Sequence, residues 1–174
     1  HLTTMVSSYY SYKSYEQLVK EQKEYCGIIG YESRYDNLLK IKNHTLGGFL
    51  YGKMLEIEDY GINVEYRVET GIEQCRVPNY YLIELLGIFI DNAIDASKGV
   101  EESRIFWGLY EEQNDYIFLI RNTFKEVKYQ EIEEWFKLNE TTKDTNRGVG
   151  LYRAAQIRDY WNCDIIYSNE KIDN

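Results

Sequence analysis

The spacing of apolar positions changes character along the chain. Up to about residue 60 it is helical. Leu2, Val6 and Tyr9 stand at i, i+4 and i+7. Tyr10, Ser11, Tyr12 and Lys13 make a polar, aromatic break, and Ser14-Tyr15-Glu16-Gln17 has the form of a capping box, predicting a second helix to about Cys26. Beyond Gly27 and Gly30, a longer helix is expected to carry Leu39, Leu46, Leu50, Met54 and Ile57 on one face, most simply a packing seam. From Gly61 the period becomes two: Ile62, Val64, Tyr66 and Val68 alternate with polar residues as in a half-buried strand. Pro78 and Asn79 precede an apolar helix predicted over residues 80–98. Ile105, Trp107 and Leu109 mark a strand, and Tyr116 to Arg121 a second one ending at Asn122. Ile132, Trp135 and Phe136 suggest a short helix, residues 139–149 are nearly all polar, a helix resumes near Leu151, and Asp164 to Ser168 reads as a further strand. The order predicts an α+β chain. A helical N-terminal part is joined to an α/β sandwich.

Composition narrows what such a chain can serve. Its 174 residues carry 20 Lys+Arg against 29 Asp+Glu, a net charge of −9. Basic residues do not cluster, so the electrostatic footprint needed for nucleic acid or an anionic membrane is missing. The longest apolar run, Leu85 to Ile90, falls far short of the roughly 18 residues of a membrane span. Cys26, Cys75 and Cys163 are odd in number and widely spaced, which predicts reduced thiols rather than a disulfide framework or a zinc site. His1-Leu2-Thr3-Thr4-Met5 reads as helix interior, without a signal-peptide pattern, so the chain is expected to be a piece of a longer protein.

The helix over 80–98 holds the chemical anomaly. Leu85-Leu86-Gly87-Ile88-Phe89-Ile90 is apolar all round, yet Asp91, Asn92 and Asp95 follow at once. A buried amide or carboxylate is costly unless something polar faces it. Asn92 and Asp95, at i and i+3, project from one face and can hold a hydrated Mg²⁺, which prefers hard oxygens and keeps several waters. The plain alternative is the solvent edge of a helix end. Arg147-Gly148-Val149-Gly150-Leu151 precedes the last helix and follows Thr141-Thr142-Lys143. Glycines at a loop-to-helix junction let backbone N–H groups approach a phosphate, with Lys143 and Arg147 placed to supply cations. An ordinary helix cap is the alternative there, but the two features in this order strengthen each other.

Asp91-Asn92-Ala93-Ile94-Asp95-Ala96-Ser97 resembles the N box, and Arg147-Gly148-Val149-Gly150-Leu151 the last glycine box, of the GHKL ATPase superfamily of gyrase, heat-shock chaperones, histidine kinases and mismatch-repair proteins. The resemblance spans essentially the whole chain and is closest to sensor histidine kinases of Gram-positive peptide-pheromone systems, the accessory-gene-regulator type. It implies an ATP-binding catalytic domain over 59–174, a two-layer α/β sandwich of the histidine kinase/gyrase ATPase type with helices on one face of a mixed sheet, preceded by an α-helical dimerisation hairpin remnant and connector helix over 1–58. By motif, Asn92 would coordinate Mg²⁺ bridging the phosphates, and Asp91 and Asp95 would orient it or its waters. Gly148, Gly150 and Leu151 would line the phosphates. Thr142 and Lys143 resemble the Ser-Thr-Lys of the ATP lid, so Asn92, Lys143 and Arg147 would act on the transferring phosphoryl group. Asn122 falls where most of the superfamily has the adenine-reading Asp of Asp-x-Gly-x-Gly. This chain reads Asn122-Thr123-Phe124-Lys125 instead, a departure shared with the pheromone-sensor branch. An Asn amide can accept from the adenine amino group and donate to a ring nitrogen, and an Asn ending a strand in a turn is the alternative.

Ile88 stands where gyrase-like hydrolases carry a water-activating Glu, four residues before the metal-binding Asn, so slow hydrolysis and a saved γ-phosphate are implied. Lys42-Asn43-His44-Thr45-Leu46 resembles the end of the family's acceptor motif, but would put the acceptor at Leu39, too close to Asn92 for a hairpin and connector. His1-Leu2-Thr3-Thr4-Met5 matches the stretch just after that motif, which places the acceptor His upstream of residue 1. The implied protein is the cytoplasmic catalytic part of a membrane-anchored sensor histidine kinase. It would dimerise through its N-terminal helices and act on a response regulator, with ATP and Mg²⁺ bound and neither nucleic acid nor membrane touching this part. A mismatch-repair-like ATPase clamp and a nucleotide-binding pseudokinase scaffold are the rival expectations.

Overall fold

A computed structural model describes residues 36–73, 75–125 and 149–168. The chain separates into two compact units, His1–Asn37 and Leu38–Asn174. Apart from Asp36 and Asn37, the described residues belong to the second. The helices expected before residue 36, the short helix around Trp135, and the segment with Thr142, Lys143, Arg147 and Gly148 lie outside the described residues.

After a 3-10 turn, Asp36–Lys40, come α1 (His44–Asp59), β1 (Asn63–Val68), α2 (Asn79–Ser97), β2 (Arg104–Glu112), β3 (Asp115–Asn122) and α3 (Val149–Trp161). The three strands form one sheet in the order β1-β2-β3. β1 and β2 run parallel and are joined through α2, as a parallel pair requires. β3 returns antiparallel after a two-residue turn in which Gln113 and Asn114 both have positive φ, the combination a tight hairpin needs.

The register puts the predicted alternation on one face. Val64 lies beside Ile105, Tyr66 beside Trp107 and Val68 beside Leu109, and Val64, Ile105, Trp107 and Leu109 are buried. Tyr66 and Phe118 stack on the Trp107 ring at 5.0 and 5.9 Å. On the other face the Tyr110 ring lies across Gly108, so close that a side-chain carbon there would stand 2.4 Å from it. α1 packs on β1, α2 on β2 and β3, and α3 on α2. The result is the mixed-sheet α+β architecture that the resemblance implies.

Two sequence expectations fail. The seam from Leu39 to Ile57 is not one helix: Leu39 belongs to the 3-10 turn, and α1 starts afresh at His44. Asn43 causes the restart, because its side-chain oxygen accepts from the Leu46 N–H at 3.2 Å. The rest of the seam, Leu46, Leu50, Met54 and Ile57, is fully buried along α1. Asp164 to Ser168 forms no strand. A strand exists only where an edge accepts its hydrogen bonds, and no described strand pairs with these residues. Ile165 instead packs against the Leu85–Ala154–Ile157 cluster, while Ile166 is exposed.

Candidate functional site

The direction of the helices around α2 follows from pairs of contacts. Asn43 donates its side-chain N–H to Asn79 Oδ1 at 2.6 Å. A carbon added at Gly87 would stand 3.4 Å from the Phe49 ring, and Lys53 Nζ meets Asp91 Oδ1 at 2.5 Å. Residue numbers rise together, so α1 runs parallel to α2. Those between α2 and α3 run oppositely. Ile88 faces Gly150, Glu84 takes both Nε and Nη2 of Arg153 at 2.8 and 3.1 Å, Leu85 packs with Ala154 and Ile157, and Tyr81 meets Trp161 with ring centroids 5.7 Å apart. α3 is therefore antiparallel to α2.

Tyr81, Glu84 and Leu85, Ile88, Asn92 and Asp95 recur at spacings of three and four, one stripe of a helix. α3 covers the first four and begins at the level of Ile88. Asn92 and Asp95 continue the stripe beyond that start and are exposed. The first N–H groups of α3 have no partner within the helix, and its dipole places partial positive charge at that end. An exposed amide on α2 and the donor-rich start of α3 are thus brought to one place. Gly150 sits in the first turn of α3 without a positive φ. A carbon added there would meet Ile88 only at 3.5 Å, an ordinary contact. Neither backbone conformation nor packing on Ile88 requires glycine at this position, although in a helix glycine costs about 1 kcal/mol relative to alanine.

The carboxylates beside Asn92 are occupied. Asp91 pairs with Lys53, which also meets Glu56 at 2.8 Å. Partial burial alone pulls the Lys53 ammonium down, but hydrogen bonds and attraction from Asp91 and Glu56 outweigh it and raise its pKa above the ordinary lysine value. Asp95 meets Lys98 at 3.0 Å and, through that hydrogen bond, raises its pKa as well; the Lys98 ammonium lies over the Tyr60 ring. The Asn92 side chain makes no hydrogen bond to another described residue. Just beyond α3, burial pushes the Cys163 thiol above its ordinary pKa, and the residue packs against the Leu85–Ala154–Ile157 cluster.

Asn122 ends β3 on the same sheet face as Ile105. It is tied to the end of α2 through its neighbour: the Ser97 hydroxyl and the Asn122 side-chain N–H both donate to the Thr123 carbonyl at 3.0 Å. The residues singled out in the sequence take three positions where they are described. Asn92, Asp95, Gly150 and Leu151 surround the meeting of α2 and α3, Asp91 turns toward α1, and Asn122 is anchored to the last turn of α2.

The family profile of the GHKL domain matches residues 79–172, from the first residue of α2 to beyond α3. The chain belongs to the GHKL domain family. None of the curated proteins compared with it matches. Membership makes this an ATP-binding domain of the kinase and ATPase type, and the match covers the α2–α3 pair assembled above. GHKL domains usually take their ATP with Mg²⁺. Among the described residues no group of three or more His, Cys, Asp and Glu side chains could hold a metal ion. A Mg²⁺ carried on a triphosphate needs few protein oxygens.

Three participants escape sequence reasoning: Lys53 opposite Asp91, the Arg153–Glu84 pair that fixes α3 on α2, and Ser97 behind Asn122. Their partners lie 38, 69 and 26 positions away in the chain. Ser97 left the only readable signal, as a hydroxyl in the last turn of an otherwise apolar helix face.

Proposed function

We propose that this GHKL domain is the catalytic part of a protein histidine kinase of the pheromone-sensor type, passing the ATP γ-phosphate to a histidine upstream of residue 1. The observation that carries the reading is the junction of Ile88 and Gly150. A glycine that nothing within the described protein requires opens the start of α3, one turn from an exposed Asn92. The neighbouring position, where a hydrolase of this superfamily holds its general base, is an isoleucine packed on that glycine. In this reading the site takes phosphates, and isoleucine stands where the hydrolases hold their general base.

ATP in this reading lies along the exposed continuation of the α2 stripe. Asn92 offers its amide oxygen to the nucleotide-borne cation, with Asp91 and Asp95 orienting the amide or its waters. The α3 N–H groups at Gly150 and Leu151, with Gly148, cradle the phosphates, and Asn122 reads the base. Thr142, Lys143 and Arg147 would neutralise charge as the phosphoryl group leaves. Mg²⁺ supplies charge neutralisation across the phosphate oxygens. Catalysis is positioning and electrostatics, with no covalent intermediate on this domain. The N-terminal helices pair two chains, the phosphate passes on to a response regulator, and the domain works in the cytoplasm beside the membrane that anchors the whole sensor.

Incubation with γ-labelled Mg-ATP tests this. The 174-residue chain should bind the nucleotide without labelling itself, and the same chain extended upstream through the acceptor histidine should become labelled. A phosphohistidine at His44 would overturn the placement of the acceptor. Steady phosphate release abolished by altering Asp91 would favour the ATPase clamp. Absence of Mg-dependent binding, with Asn92→Ala changing nothing, would leave a scaffold.

A further inference from the structure

Ser97 is the most deeply buried polar side chain among the described residues, and its position has a consequence for the base of the nucleotide. Thr123 is held from three sides. Its N–H donates to the Arg104 carbonyl at 3.0 Å, its hydroxyl oxygen accepts from the Arg104 N–H at 3.0 Å, and its carbonyl accepts from Ser97 Oγ at 3.0 Å. The same carbonyl takes the Asn122 Nδ2–H at 3.0 Å. An amide whose nitrogen is turned onto a fixed carbonyl presents its oxygen the other way, and Asn122 Oδ1 accepts no hydrogen bond from a described residue. Turning the amide over would set Oδ1 against the Thr123 oxygen, two acceptors face to face, with an Nδ2 donor left to meet the base.

We propose that Ser97 is a positioning residue for base selection: by fixing the Thr123 carbonyl it holds Asn122 with its oxygen outward, so that the site takes a 6-amino purine and rejects a 6-oxo purine. The inference rests on the reading of Asn122 as the base-facing residue. An outward oxygen accepts from the 6-amino group of adenine and opposes the 6-oxo group of hypoxanthine or guanine. Without the Ser97 hydroxyl, the carbonyl loses its tie to α2 and Thr123 keeps only the neighbouring bonds to Arg104, so the amide turns its nitrogen to a 6-oxo group more readily.

Calorimetric titration of the full chain with Mg-ATP and with Mg-ITP, which differs at the 6-position, reads this directly. The wild type should prefer ATP by at least about 100-fold. Ser97→Ala should narrow that preference roughly tenfold, the scale of one lost hydrogen bond, mainly by improving ITP relative to ATP. Ser97→Thr keeps the donor and should restore the preference. Ser97→Cys, a near-isosteric weaker donor, should fall between and serves if the alanine variant does not fold. If Ser97→Ala weakens both nucleotides in equal proportion, Ser97 is merely structural and the proposal is overturned; an unchanged preference overturns it equally. A wild type that binds both nucleotides alike also overturns it while leaving the ATP site standing. A wild type that binds neither overturns the nucleotide reading and this proposal together.

Discussion

The two halves of α2 carry the same helical stripe and meet opposite fates. In the first half, Tyr81, Glu84, Leu85 and Ile88 are roofed by α3, with a bidentate Arg153–Glu84 pair and an aromatic contact at Trp161. In the second, Asn92 and Asp95 continue the stripe into the open because α3 begins at Ile88. Covered positions serve stability, and in the proposed reading the uncovered ones serve binding. The change occurs within a single turn, where an apolar run becomes Asp91-Asn92 and a helix start is aimed at it. Such a boundary yields substitutions whose effects separate cleanly.

The largest effect on the covered half should come from Leu85→Ala. Removing a buried leucine from the Ala154–Ile157 cluster should cost about 2–4 kcal/mol of unfolding free energy, read by denaturant titration. The folded fraction should keep its Mg-ATP affinity. On the open half, Asn92→Ala should weaken Mg-ATP binding by about 100-fold, near 2.7 kcal/mol, with the melting temperature essentially unchanged. Equal damage to fold and binding by either variant would break the distinction between the halves.

Gly150→Ala sits on the boundary and should split the two readouts. With room for a carbon at 3.5 Å from Ile88, the variant should gain about 0.5–1 kcal/mol in stability from helix propensity while losing roughly tenfold in nucleotide affinity, a loss on the scale of one hydrogen bond. A destabilised variant would mean the glycine serves packing after all. The smallest effect concerns Lys53. Its folded pKa is raised, so its stabilising contribution is fully present below the ordinary lysine pKa and is lost as pH rises through the folded value. Melting temperature should fall above about pH 10.5, and part of that fall should vanish in Lys53→Met. The amount should stay under about 1 kcal/mol, as for a partly exposed pair.

What the sequence carried and what it hid divide along physical lines. The alternation of Val64, Ile105, Trp107 and Leu109 and the switch from Ile90 to Asp91 were legible because each is a local pattern with one structural period. The restart of α1 at His44 was masked because Leu39 and Leu46 are seven apart, a helical spacing, while the cap at Asn43 depends on a single side-chain hydrogen bond. Asp164 to Ser168 read as a strand because Ile165, Ile166 and Tyr167 suit one, yet no local pattern announces whether a sheet edge is free to pair with them. The Asn92 and Gly150 motifs were readable as types, but their meeting at Ile88 depends on α3 running antiparallel to α2, which no short window encodes. The Ser97–Thr123 bond was out of reach for the same reason.

Nitrogen-15 amide spectra of the full chain during a Mg-ATP titration test the central claim most directly, that nucleotide binds where α3 begins beside the open half of α2. The account predicts shifts at the Gly150 and Leu151 backbone amides and at the Asn92 and Asn122 side-chain amides, with the Trp161 indole at the covered end unmoved. Shifts gathered around Trp161 and Tyr81, with Asn92 and Gly150 silent, would contradict it.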